Sequence, residues 1–515
     1  MNRKFFIYLL LTVAAYGCKK DKVVTDVKEV VVEKDTVALS FVKIEKSKNL
    51  GKVNGDIYGV ISGDEINLLV PELLKNKKFI TTFATKNASI TVNDTVQVSG
   101  VTLTDFSKSV KYKLTSPKGT TKIYKFNIKY FTGIPILYLN TVDSVTSKDV
   151  YVTGNLIVDP NNLDNPEKLN IPLQVKGRGN STWDKPKKPY RLKLNTKSPI
   201  LGMETAKNWV LLANYSDKTL IRTSIAFDLG AKIGADFTPK GRFVELVMNN
   251  YHVGNYFLTS QVEVNETRVN ITELKKGNTS ADEITGGYLL EQDKRLDEKF
   301  WFKTTADIPF TIKSPDEITE DQLTYIHNYI QQTEDAIYSA DFADPEKGYA
   351  KYIKVESFIN WFLVQELLKN EDAKEFSSNF YYKERNGKLG LGPLWDFDLS
   401  CGNNDYSNSR YPTGWWVKDG PWFSHLFKDP AFRQKVKLRW NQIRGKEINE
   451  ITSTIDKTVA YIDLSQKKNF NRWLILDQYV WPNQFVLGTY PKEVAQLKAW
   501  LTERIAWLDK EMNNL

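Results

Sequence analysis

Cysteine and histidine are nearly absent from this chain. Among 515 residues the only cysteines are Cys18 and Cys401, and the only histidines are His252, His327 and His425. A zinc site built from Cys and His has almost no ligands to draw on, and neither a Cys–His nucleophilic pair nor a two-His metal helix has the residues it needs. Any metal chemistry must rest on Asp, Glu and Asn oxygens, hard ligands suited to magnesium or manganese. Long apolar runs are also missing: beyond the first 17 residues nothing approaches the ~20 apolar residues of a membrane-spanning helix. There is no internal repeat and no low-complexity tract. Charge of one sign is not dominant either, since 71 Lys and Arg stand against 62 Asp and Glu for a net +9. So mild an excess suits small anions and does not mark a nucleic-acid binder.

What is present is enough apolar material for a sizeable core and two or three domains: 41% hydrophobic and 12% aromatic residues. All 13 Trp lie at or beyond Trp183, whereas the first third is rich in Val, Thr, Lys and Asn. That shift in composition argues for at least two folding units.

Residues 1–17 run from Met-Asn-Arg-Lys through an apolar stretch, Phe5 to Ala15, to Tyr16-Gly17, the order of a secretory leader. Ala15-Tyr16-Gly17-Cys18 resembles a relaxed bacterial lipobox, which predicts acylation of Cys18 and a lipid-anchored protein of the cell envelope. A charged, β-branched tether spans 18–38. Residues 39–131 alternate in period two between Asn, Asp, Gly and Ser turns, the pattern of a small all-β sandwich resembling Ig-like modules. From 134 to 515 a strand-rich part precedes a helix-rich part. The former includes a hairpin at Asn249-Asn250; the latter begins at about 320 and ends in an amphipathic helix over 493–515.

Two constellations can carry chemistry. The first is Lys176-Gly-Arg178-Gly-Asn-Ser-Thr-Trp183 and its continuation to Lys193, where seven basic residues face one acid, Asp184. Glycines around Arg178 let backbone approach a ligand, and the cations suit phosphate oxygens. It is neither a Walker A loop nor the glycine loop of ordinary protein kinases. A solvated basic hairpin is the competing reading. The second is Leu391-Gly-Pro-Leu-Trp-Asp396-Phe-Asp398, with Asn370-Glu-Asp372 upstream. On a strand, Asp396 and Asp398 would share a face and hold a divalent cation, while Asp372 would take a hydroxyl proton. Asn379, or the hydroxyl of Ser377 or Ser378, would complete the metal shell. Turn or helix capping is the competing reading for these acids.

These motifs occur together with Lys187-Lys-Pro-Tyr-Arg-Leu192, Asn208 to Lys218, Phe243-Val-Glu-Leu246, Arg268-Val-Asn-Ile271, Gly286 to Glu291 with Asp293, and Ile312-Lys-Ser-Pro315. In that order, over about 135–515, they resemble the spore-coat protein H (CotH) kinase family. The resemblance implies an α+β, atypical protein-kinase-like two-lobed domain and an ATP- and Mg2+- or Mn2+-dependent phosphotransferase acting on a secreted or envelope protein. It also implies Asp372 as the catalytic aspartate, Asp396 as a metal ligand, and Lys176, Arg178 and Lys188 as candidates for the nucleotide phosphates. Two positions depart from the family. Ser260 stands where it commonly carries an acid, and the interval from Asp372 to Asn379 exceeds the ordinary kinase step. The alternative these departures raise is a pseudokinase or surface-binding lipoprotein.

Overall fold

The computed structural model describes residues 35–515 apart from 72, 74–76, 162–167 and 375. The leader, Cys18 and most of the tether lie outside the described residues. The fold is mixed α+β. Among the described residues no helix is long and apolar enough to cross a membrane.

The first unit, Ala38 to Tyr130, is built of strands. A six-stranded sheet and a three-stranded sheet contribute to one core that includes Val42, Ile66, Phe106, Tyr112 and Phe126. The chain leaves it through a clamp at Asn161. This side chain accepts from the Tyr130 N–H (2.6 Å) and donates to the carbonyls of Tyr130 (2.7 Å) and Ile134 (3.0 Å). Lys77 and Asp159 add an ion pair of 3.3 Å across the same junction.

Next comes a closed seven-stranded barrel. Its strands are Ile136–Thr141, Val152–Asp159, Leu169–Gly177, Tyr190–Pro199, Thr205–Leu212, Gly241–Met248 and Tyr251–Ser260. Period two sorts the side chains: along Leu169–Gly177 the odd-numbered Ile171, Leu173 and Val175 point inward and the residues between them outward. Trp209, Leu246, Tyr256 and Leu258 help to fill the interior. The expected hairpin is present. Asn249 and Asn250 both adopt positive φ (49° and 68°), the conformation that joins two right-twisted strands through a two-residue turn. Closure comes from parallel pairing of Ile136–Thr141 with Gly241–Met248, about a hundred residues apart.

The remainder carries most of the helices, but not helices alone. Asn379–Lys383 and Leu389–Leu391 complete a five-stranded sheet with Tyr288–Gln292, Trp301–Lys303 and Pro309–Ser314. Helix Glu320–Tyr338 starts at a capping box in which Thr319 and Gln322 satisfy each other's backbone N–H. Helix Val355–Leu368 is buried on nearly every side, as expected for a helix apolar all round. Helix Tyr490–Asn513 packs Val494, Leu497, Leu501 and Leu508 inward, as the periodicity predicts, and places Arg504 on the same face.

Arg504 and Glu366, both fully buried, tie the last helix to the central one at 2.6 Å. Arg504 also donates to the carbonyls of Glu366 (2.8 Å), Pro412 (3.0 Å) and Gly414 (2.8 Å), and Glu366 accepts from the N–H groups of Trp416 and Lys418 (both 2.8 Å). A buried pair with its remaining valences satisfied holds its neighbours in one register; removing one partner strands the other charge. Arg504→Met is therefore expected to destabilise the domain by about 3–5 kcal/mol in urea unfolding, with Arg504→Met/Glu366→Gln less destabilised than Arg504→Met alone.

Candidate active site

The central helix ends at Leu368, and the chain turns at once through Lys369, whose φ of 42° is left-handed. The Lys369 ammonium donates to the carbonyls of Thr413 (2.7 Å), Tyr411 (2.9 Å) and Asn408 (3.2 Å), which fixes the turn and the loop beside it. A single 3-10 turn, Glu371–Lys374, then carries Asp372 into a cavity of about 660 Å3 between the barrel and the helix-rich part. Glu371 is held by the hydroxyls of Ser407 and Ser409.

The second acidic segment reaches the same cavity by a different route. After strand Leu389–Leu391 the chain is irregular, and Phe397 is buried in the core near Phe227. Asp396 sits at φ 61° and Ser378 at φ 63°, with the Ser378 hydroxyl 3.3 Å from Asp396 Oδ2. Left-handed conformations outside glycine cost roughly 1–3 kcal/mol each and gather where a site demands them. Strand alternation was expected to align Asp396 and Asp398. The segment is not a strand, and both acids reach the cavity from irregular chain with a left-handed residue at Asp396 and a buried ring at Phe397. Asn370 links the two segments by donating to the Trp395 carbonyl (3.4 Å).

Asp372, Asp396 and Asp398 thus line one cavity. Burial, followed by repulsion from Asp396, Asp398 and Glu371, raises Asp372 well above the usual carboxylate range, while Arg295 opposes the rise. Burial and then Asp396 and Asp217 push Asp398 to about 8. Groups in this state favour a cation among them. Among the described residues no three His, Cys, Asp or Glu side chains converge closely enough to hold a metal ion by themselves. The donors that are present, two carboxylates and a hydroxyl, fit a hard ion such as Mg2+ that takes its remaining ligands from water and phosphate.

Cations line the cavity too. Arg178 lies over the Trp395 ring (5.6 Å) within reach of the charges on Asp396, Asp398 and Glu291. Lys313 stands 3.4 Å from Glu291 and also pairs with Glu298; burial alone would lower it, yet the two acids hold it above its ordinary value and so charged. Lys187 is the exception. Burial lowers it to about 7, and its ammonium is spent on the carbonyls of Ala213 (2.8 Å) and Asn255 and on Asn469 Oδ1 (2.8 Å). It is a strut of the cavity wall.

Residues 175–508 match the family model described as CotH kinase protein. The chain belongs to the CotH kinase family. No curated protein sequence matches it. Among solved structures, it is similar to a crystal structure provisionally described as a glycoside hydrolase from Bacteroides thetaiotaomicron. The two are 12% identical over 56% of this chain and 87% of the other, with a TM-score of 0.16, too low to bear on fold or function.

Within the CotH kinase region the expected site residues divide. Asp372, Asp396, Asp398 and Arg178 line the cavity; Lys176, Lys188 and Asn379 are not on its lining. Lys176 lies over the Tyr151 ring (5.0 Å) and Lys188 over Trp183 (5.1 Å), where it also donates to the Trp183 carbonyl. Asn379 spends its amide on the carbonyls of Asp372 (3.2 Å) and Ala373 (3.3 Å), bracing the acid's turn. Ser260 bonds to Glu204 and faces a separate cavity of about 130 Å3. Lys185, Glu291, Asp293, Arg295, Lys313, Tyr406 and Trp481 also line the main cavity. Glu291, Asp293 and Lys313 fall within motifs shared with the family and Lys185 within the basic run, whereas Arg295, Tyr406 and Trp481 leave no signal of that kind.

The raised carboxylates have a measurable consequence. Between the ordinary aspartate value of 3.8 and about 8, the native state keeps the Asp398 proton that the unfolded chain has lost, so stability falls as pH rises through this window. Metal-free protein is expected to melt at progressively lower temperature as pH rises from about 4 to about 8. Millimolar Mn2+ should recover part of the loss at the alkaline end, and Asp398→Asn should flatten the dependence; a melting temperature independent of pH and of Mn2+ would contradict this electrostatic description.

Proposed function

We propose that this chain is an exported kinase that transfers the γ-phosphoryl group of ATP to a hydroxyl of a secreted or envelope protein, held at the membrane through a lipid on Cys18. The supporting observation is the meeting of half-buried, mutually repelling carboxylates with Arg178 and Lys313 in one cavity large enough for a nucleotide. An acidic cluster alone would repel ATP, and a basic cleft alone would have no use for Asp372. Together they suit a metal–polyphosphate complex and an acceptor proton.

In this reading Asp396 and Asp398, with the Ser378 hydroxyl, hold Mg2+ or Mn2+. When bound, the metal neutralises phosphate charge and orients the γ-phosphoryl group. Arg178 and Lys313 grip phosphate oxygens. Tyr406 and Trp481, half exposed with ring planes 11° apart, offer flat faces for the purine. Asp372 accepts the acceptor's hydroxyl proton, the acceptor oxygen bonds to the γ-phosphorus, and the bond to the bridging oxygen breaks to release ADP. A carboxylate raised by burial is a stronger base once ionised, which suits Asp372 to that task.

Ser260, the position that raises the inactive alternative, is bonded to Glu204 and lines the smaller cavity, not the one that holds these groups. Purified protein from residue 39 onward, incubated with labelled ATP, Mn2+ and envelope proteins, is expected to label an acceptor. Asp372→Asn should lower the rate about 100-fold or more while nucleotide still binds. Asp396→Asn should lose metal-dependent nucleotide binding as well. Parent-level transfer in both variants, each folded by circular dichroism, would refute the assignment.

A further inference from the structure

Arg295 follows strand Tyr288–Gln292 and belongs to none of the motifs that point to the site. Its backbone N–H donates to Asp293 Oδ1 (3.0 Å), and Nη2 and Nε donate to Asp293 Oδ2 (2.9 and 3.3 Å). With the Asn180 amide turned to present its oxygen, Nη1 and Nη2 donate to it at 2.8 and 3.1 Å. The same guanidinium lies over the Phe376 ring, 5.8 Å from its centre. One side chain therefore touches three walls of the cavity: the glycine-flanked turn that carries Arg178, the end of the five-stranded sheet, and the segment just after Asp372.

Its position differs from that of the other cavity cations. Arg178 faces Asp396 and Asp398, and Lys313 is engaged by Glu291 and Glu298. Arg295 is the cation that opposes the rise of Asp372. Both residues line the one cavity, and the contact with Phe376, four residues beyond Asp372, places the guanidinium on the acid's side of it. Its side chain is 29% exposed, and its partner Asn180 is on an exposed turn, so one of its present contacts can be exchanged without opening the core. A planar fork with several donors matches the equatorial oxygens of a phosphoryl group, which a lysine ammonium cannot do in the same way.

We propose that Arg295 is a catalytic residue of the phosphoryl transfer, exchanging Asn180 for oxygens of the γ-phosphoryl group and holding that group against the acceptor at Asp372. The inference rests on the phosphotransferase reading above. As the acceptor oxygen bonds to phosphorus and its proton passes to Asp372, the bond to the bridging oxygen breaks, ADP leaves with the electron pair, and the guanidinium stabilises the negative charge on the oxygens in flight.

The test compares parent, Arg295→Met and Arg295→Lys for kcat, for KM of ATP, and for calorimetric binding of Mg2+–ADP with and without aluminium fluoride. Both variants are expected to lose about 10³-fold in kcat, to keep KM and Mg2+–ADP affinity within about threefold of the parent, and to lose the tightening that aluminium fluoride produces in the parent. Added guanidinium should restore part of the rate to Arg295→Ala. Parent-level kcat in Arg295→Met, or a rate loss matched by an equal loss of ADP affinity, overturns the role of Arg295 and leaves the phosphotransferase reading intact. A parent that neither binds Mg2+–ATP nor transfers phosphate overturns both.

Discussion

Three half-buried aspartates that repel one another across one cavity set the terms for the rest of this molecule. Asp372 and Asp398 are both raised by burial and by their acidic neighbours, so the like charges are held together at an electrostatic cost. The strained backbone at Ser378 and Asp396 has the same character: conformational energy is spent to aim oxygens at one point.

Holding those acids in place requires an unyielding frame, and much of it is polar. The pair Arg504–Glu366 locks the last helix and the 412–418 loop onto the central helix. Lys369 fixes the turn from that helix into Asp372 by donating to three carbonyls. Lys187 joins the barrel to the C-terminal helices through Asn469. Each is a buried basic group whose donors meet oxygens; burial still lowers Lys187 to about 7 and Lys369 to about 8, and loss of a partner would strand the group. Rigid support of this kind lets a site keep like charges together while it waits for ligand.

Much of this was legible in the sequence where the signal is local. The Asn249-Asn250 turn, the last amphipathic helix and the acids around Trp395 and Phe397 follow from residue types a few positions apart. Barrel closure does not, because the pairing of Ile136–Thr141 with Gly241–Met248 leaves no local mark. Lys176 and Lys188 are part of a basic run that reads as one patch, yet each settles over a neighbouring aromatic ring while Arg178 faces the cavity. Asn379 is a ligand candidate by residue type but braces the turn it follows. Arg295 and Lys313 converge on Asp372 and Glu291 only through the five-stranded sheet, whose strands come from both halves of the domain.

The central claim is that Asp396 and Asp398 receive a divalent cation carried on a nucleotide whose terminal phosphate meets Asp372. A crystal structure with Mn2+ and a non-hydrolysable ATP analogue tests it most directly through the anomalous signal of the metal. The account predicts a peak bridging Asp396, Asp398 and the analogue's phosphates, with the terminal phosphate facing Asp372. A nucleotide bound elsewhere, or bound in this cavity with the manganese away from these carboxylates, would contradict it.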